Sequence, residues 1–470
     1  MNGPAALLVD ERTGVVRRVV ADAPRDGFPR SYTAATAQVA ATGRFADWRA
    51  DPTGHGSAFD DPDAARAAAL GEAVERYCGN APPCGVRVAT FDQLRADGVA
   101  ALDPQAVPLY STAQYAAPGF PFVPMTRDLP MRWVPARPLD QPSRSATADT
   151  TTDASGDTLL VPASLVVLNP GHDGLPATNL QMYAGIAAAT TPADACHRAL
   201  LEVVERDALT VWWLGGGPTV ALDGVEEQVE ALLAARPARQ GLSESLTATV
   251  LAVPNRLGLP VVAALVADPR DGTCALGAAC RTDTTAALRK ALLEALDGLA
   301  VAAELLDPAS ALWRAVATGA AYAHPYRPFR ADRGYAADYR ADLRDVHDLA
   351  CHTQLYLDPS VQQRLLPRLR RPQSRVSAAD LDAAARATGG PLRALLAAGL
   401  QPLWTDLSTP DVRLAGLHVA RVVVPGVAAY APAAFPLLGV PRLYAEPSSL
   451  GWTSAPLREE DLMLDPLPYS

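Results

Sequence analysis

Two short stretches, LGEAVERY at residues 70–77 and LLEVVERDAL at residues 200–209, share an E-x-x-E-R spacing. Residues three and four apart lie on one side of a helix. Glu72 therefore projects with Glu75, and Glu202 with Glu205, and an arginine (Arg76, Arg206) follows each pair. Mg2+ takes one or two carboxylates and leaves its other positions to water and phosphate oxygens. Each pair is thus a candidate ligand set for a divalent cation beside a nucleotide. A single motif of this kind reads more readily as a surface ion pair worth roughly a few tenths of a kcal/mol. The copies match, however, at a constant offset of 130, and a third partial copy follows. Lys290, Glu294 and Asp297 stand 92 residues after Arg198, Glu202 and Glu205. This repetition leaves the ion-pair and metal-site readings level. Under the second, acidic pairs from three helices hold Mg2+ around a nucleotide triphosphate, and Arg76, Arg206 and Lys290 balance phosphate charge. No G-x-x-x-x-G-K-[ST] occurs, so a P-loop is not the phosphate cradle.

The elements that must position these residues have clear start signals. Asp61-Pro62 and Thr191-Pro192 each pair an N-cap residue with proline at the first helical position, and Asp283-Thr284 opens the third helix. Helices are predicted over residues 62–78, 192–214 and 284–306, with another near 377–399. The glycines at 215–217 read as a helix stop. Strand candidates are GVVRRVVAD, TLLVPASLVVLN, GLPVVAALVADP, CALGAACRTD and LHVARVVVPGV. Residues 104–137 read as extended loop and strand, and the apolar-poor 138–157 as a flexible surface insertion. This alternation gives a mixed α/β or α+β class without fixing the sheet topology.

Composition narrows the function classes. The 470 residues carry a formal net charge of −10, which provides no electrostatic footprint for nucleic acid. Neither a secretory signal nor an apolar run of membrane-spanning length is present. The six cysteines form no C-x-x-C pair and no zinc-ligand spacing, and the three in apolar or helical stretches read as buried, reduced thiols, which points to the cytoplasm. His347 and His352 read as structural. Cys196 and His197 diverge on their helix, and Ser57 in GHGSAF reads as part of a turn that could approach a ligand.

The stretches AALGEAVERY, ALLEVVERDALTVWW, GLPVVAALVADP followed by AALRKALLEAL, and TDLSTPDVRLAGLHVARVVVPGV resemble the YcaO superfamily, in particular its azoline-forming branch. The likeness runs from about residue 50 to the end, with residues 1–50 as an N-terminal segment, 51–470 as the YcaO domain and 311–470 as its C-terminal subregion. It implies an α+β, YcaO-type ATP-binding fold in which mixed and antiparallel sheets are packed by helices and three helix-borne acidic motifs surround one nucleotide site. It further implies an enzyme that uses ATP and Mg2+ to turn Cys, Ser or Thr of a ribosomal precursor peptide into thiazoline or oxazoline. Thiopeptide-type natural products are made this way.

Carried over by position, Glu72, Glu75, Glu202, Glu205 and Glu294 are the implied Mg2+ or ATP ligands, and the first four are also implied in catalysis. Arg206 matches a nucleotide-contacting arginine. Lys290 stands where arginine is common, Thr190 where an asparagine often contacts ATP, and Ala187 where a small or hydroxyl residue sits. Ala184 replaces an asparagine before Gly185. The end, DPLPYS, keeps the register of a P-x-P-x-P tail through Pro466 and Pro468 but places Ser470 at the last proline, which makes Ser470 a catalytic candidate. The resemblance also implies a leader-binding partner of ThiF/E1-like type, a flavin-dependent azoline dehydrogenase and a homodimer. The rivals are a thioamide- or amidine-forming enzyme and a catalytically silent precursor binder.

Overall fold

The computed structural model describes residues 4–139, 158–169, 174–234, 246–318 and 325–469. Three sheets and three long helices alternate around a central cavity. The first sheet is an antiparallel meander of β1 (Val16–Ala21), β2 (Tyr32–Val39) and β3 (Thr53–Phe59). The second runs in the order β4-β5-β13-β14-β7, with β6 also paired to β5. Its strands are Arg87–Ala89, Met131–Pro138, Leu159–Pro162 (β6), Ile186–Ala189 (β7), Leu403–Asp406 (β13) and His418–Val423 (β14). The third, ordered β11-β10-β9-β8-β12, consists of Val220–Asp223 (β8), Thr247–Ala252, Val261–Asp268 (β10), Thr273–Cys280 (β11) and Ser374–Ser377 (β12). Only its β12–β8 pair is parallel among the described pairs.

The long helices span Pro62–Asn80, Pro192–Leu214 and Thr284–Leu306, within two residues of the sequence expectation. The side chains of Asp61, Thr191 and Asp283 each accept the backbone N–H three residues on, as N-caps should. Side-chain alternation along the strands explains the layering. On β7, Ile186 and Ala188 join the first helix in one core while Ala187 and Ala189 join the second helix in another. On β10 and β11, Val262, Ala264, Ala275 and Ala279 pack on the third helix, and Ala263, Leu265, Leu276 and Ala278 face the second. Phe59 of β3 joins the third helix's core, closing the ring.

The strand expected over TLLVPASLVVLN ends at Pro162, where the chain turns into a 3-10 helix, Ala163–Leu165, closed by bonds from Val166 and Val167 N–H to the Ala163 carbonyl. The helix expected near 377–399 is two helices, Ala378–Thr388 and Pro391–Ala397, because Gly389 and Gly390 take φ of +74° and +102°. GHGSAF is β3, not a turn. Of the insertion expected at 138–157, Pro138 ends β5, and residues 140–157 lie outside those described. No helix among the described residues is long and apolar enough to cross a membrane.

Close helix–sheet approach depends on small residues. A Cβ on Gly277 of β11 would lie 2.0 Å from the Ala291 carbonyl oxygen and 2.4 Å from the Ala295 nitrogen. Both are backbone atoms of the third helix and cannot rotate away. Gly277→Ala is expected to cost about 3 kcal/mol through overpacking. A denaturant midpoint unchanged from wild type would show that the helix can move.

Candidate active site

The ring of sheets and helices encloses a cavity of about 1370 Å3. Glu72, Glu75, Arg76, Ala187, Glu202, Glu205, Arg206, Lys290 and Glu294 all line it, so eight of the ten residues singled out by sequence meet in one place together with Ala187. Thr190, exposed beyond the end of β7, is not among the lining residues, and Ser470 lies outside the described residues.

The acidic residues are held by a repeating scheme. In the first two helices, the first acid of each pair accepts a backbone N–H from the sheet beneath its own helix. Glu72 Oε2 accepts from His55 on β3 at 3.0 Å, and Glu202 Oε2 from Gly185, just before β7, at 2.9 Å. The second acid reaches the next sheet in the ring. Glu75 Oε1 accepts from Ala188 N–H at 2.7 Å, and Glu205 Oε2 from Cys280 N–H at 3.1 Å. Asp297 completes the cycle on the first sheet, accepting from the Tyr32 hydroxyl at 2.6 Å and the Ser57 hydroxyl at 2.8 Å, with His55 Nε2 at 3.3 Å. The four paired glutamates thus each give one carboxylate oxygen to a backbone N–H, which orients the side chain, and Asp297 is held at both oxygens. Buried Arg421 holds the approach to Gly185 by donating to the carbonyls of Leu165 (3.1 Å) and Met182 (2.7 Å).

This crowding has an electrostatic cost. Burial pushes the Glu75 carboxyl up to about 8, and the neighbouring Glu72 and Glu202 add to the shift against the Ala188 N–H. Burial likewise raises Glu205, opposed by Arg206 and Arg281. Asp297 is the exception: His55, Lys290 and the Tyr32 hydroxyl outweigh burial and lower its pKa. The cations differ in how far they are engaged. Arg76 donates twice to Glu72 Oε1, at 2.9 and 3.3 Å, and Lys290 is paired with Glu294. Arg206 stands 3.5 Å from Glu205 and 3.6 Å from Glu202, and its buried Nε has no hydrogen-bond partner.

Buried carboxylates whose charge is disfavoured, beside a guanidinium with a donor to spare, fit Mg2+ together with an anionic oxygen ligand. Among the described residues no three His, Cys, Asp or Glu side chains converge tightly enough to hold an ion alone.

Tyr32, His55, Arg198, Arg281, Tyr183 and Tyr469, which the sequence reading gave no role in the site, line the cavity, as do Asp297 of the third repeat and Ser57. Asp297 and Arg198 were in register with the repeat, which was signal enough. Tyr183 and Tyr469 carried none. The bland readings of His347 and His352 agree with the structure. His347 stacks on Phe435, while fully buried His352, pushed down to about 3 by desolvation, bonds Tyr430 and the Ala433 N–H.

No curated protein sequence matches this chain. Among solved structures, one titled a heterocyclase in complex with substrate and cofactor covers 100% of this chain at 20% identity and a TM-score of 0.63. The heterocyclase TruD covers 87% of it at 21% identity and a TM-score of 0.53. This chain spans 57% and 51% of those two, little more than half their length. YcaO from Methanopyrus kandleri, bound with AMPPCP and Mg2+, covers 89% at 18% identity and a TM-score of 0.50, and 87% of its own length is matched. At these identities the likeness is one of fold. The model of the family described as YcaO cyclodehydratase, ATP- and Mg2+-binding, matches residues 56–428, most of the chain and all three acidic helices, and the chain therefore belongs to the YcaO family.

Proposed function

We propose that this chain is an ATP-dependent cyclodehydratase that converts Cys, Ser or Thr of a ribosomally made precursor peptide to thiazoline or oxazoline. The observation that carries this reading is the ring of acids from three helices around one cavity, with Arg206 lining it and making no hydrogen bond to either neighbouring glutamate. The peptide's thiol or hydroxyl adds to the preceding backbone carbonyl and loses its proton. The resulting tetrahedral oxygen takes the γ-phosphoryl group of ATP, releasing ADP; the C–O bond then breaks to release phosphate as the nitrogen forms a C=N bond and loses its proton, leaving the ring. Such a reaction needs in-line positioning and charge neutralisation more than an enzymatic nucleophile. Arg206, Arg198, Arg281 and Lys290 orient the triphosphate, and Glu72, Glu75, Glu202, Glu205 and Glu294 hold Mg2+. Bound Mg2+ would neutralise charge building on the transferred phosphoryl oxygens. The cavity has room for a nucleotide and a short stretch of peptide.

A leader-binding partner of ThiF/E1-like type, a flavin-dependent azoline dehydrogenase, a homodimer and a cytoplasmic setting belong to the same reading. The test is mass spectrometry of short Cys-, Ser- and Thr-rich peptides encoded in the same gene neighbourhood, incubated with the protein, its partner, ATP and Mg2+. Loss of one water mass per modified residue is expected. Exchange of oxygen for sulfur with added sulfide would assign the chain to thioamide formation instead. Peptide binding without any mass change would make it a silent binder.

A further inference from the structure

The last described residues, 465–469, are tied down at four backbone groups. Trp213 Nε1–H donates to the Asp465 carbonyl at 2.6 Å, and the Tyr356 hydroxyl to the Pro466 carbonyl at 2.8 Å. Leu467 N–H donates to the Tyr430 hydroxyl at 2.9 Å, and Leu276 N–H of β11 to the Pro468 carbonyl at 2.6 Å. The product of this anchoring is the placement of a single side chain. Tyr469, 2% exposed, puts its ring centroid 4.6 Å from Arg206 Cζ and its hydroxyl 3.3 Å from Glu205 Oε1.

The first acidic helix offers a comparison within the same molecule. Arg76 also lies under a tyrosine ring, Tyr183 at 4.3 Å, but that tyrosine is 40% exposed, and Arg76 has closed onto Glu72 with two hydrogen bonds. At the second helix both Glu205 oxygens have other donors, Cys280 N–H and the Tyr469 hydroxyl, and Arg206 makes no hydrogen bond to either glutamate, only ion pairs at 3.5 and 3.6 Å. A guanidinium bonded to a carboxylate in fork geometry has spent the donors that a phosphate would need.

We propose that Tyr469 is a positioning residue. Its hydroxyl fixes Glu205 and its ring seats Arg206, so that the carboxylate and the guanidinium are presented to the Mg2+–triphosphate instead of to each other. This rests on the nucleotide reading above and adds to it the device that keeps the second motif open. The ring acts on Arg206 and the hydroxyl on Glu205, so the two functions separate by mutation.

The test is calorimetric titration of the full chain with AMPPCP across a range of Mg2+ concentrations. Tyr469→Leu is expected to weaken AMPPCP about tenfold or more at saturating Mg2+, the loss of a desolvated cation–π contact and a charged hydrogen bond. Tyr469→Phe, nearly isosteric, should restore that affinity to within about threefold while raising the Mg2+ needed for half-saturation about fivefold. If Tyr469→Leu does not fold, the Mg2+ requirement of Tyr469→Phe decides alone. Wild-type binding and wild-type Mg2+ demand in Tyr469→Phe, or tighter binding in either variant, would overturn the proposal. Failure of the wild-type chain to bind AMPPCP with Mg2+ would instead overturn the nucleotide reading beneath it.

Discussion

Glu205→Gln is expected to lower ATP-dependent turnover at least about 100-fold, because the lost charge stabilisation is worth about 3 kcal/mol or more in a dry site. The substitution keeps the shape of the side chain and the oxygen that accepts the Cys280 N–H, so the fold has no reason to change. Burial already disfavours the charged form of Glu205. The neutral variant should therefore melt no lower than wild type, and activity and stability part company. Glu202→Gln, with its oxygen on the Gly185 N–H, is expected to behave in the same way. Purified variants assayed for phosphate release alongside thermal melts would check both. Normal turnover in the two variants would defeat the assignment of these carboxylates to Mg2+.

Glu75→Gln carries the second large effect, with opposite signs on activity and stability. The Glu75 pKa rises from 4.5 to about 8 on folding, mainly through burial. The folded state then holds a proton that the unfolded state has released, so stability falls as pH rises between those values, and the full penalty is present above the upper one. Glutamine keeps the acceptor for the Ala188 N–H and removes the charge. Without Mg2+ the variant should be more stable than wild type by about 1–3 kcal/mol at alkaline pH, and the gap should close on acidification to the ordinary carboxylate range. Added Mg2+ and ATP should stabilise wild type but not the variant, which should also lose turnover. Melting curves across pH with and without Mg2+ measure all of this. A gap independent of pH would place the effect in packing.

Local order explains what was legible in the sequence. The three long helices could be read because cap, proline and apolar period agree along each one, and the repeat offsets placed their carboxylates before any sheet was known. The cyclic exchange of hydrogen bonds could not be read, because Glu75, Glu205 and Asp297 bond strands 113, 75 and 240 residues away in chain order. Ser57 looked like part of a turn since two glycines flank His55. In the fold, a Cβ on Gly54 or Gly56 would lie 2.3 or 2.2 Å from backbone nitrogens of the first helix, so these glycines mark close packing. Tyr469 shows the same limit. The tail's proline register was visible, whereas the anchors that aim its tyrosine come from residues 213, 276, 356 and 430.

The most direct test of the central claim, that this site activates a peptide amide by phosphoryl transfer, is the fate of the amide oxygen. A precursor peptide carrying 18O in the carbonyl before the modified residue, turned over with unlabelled ATP and Mg2+, should deliver one label to inorganic phosphate for each ring formed. Ring formation with the label released into water and none in phosphate would contradict the claim.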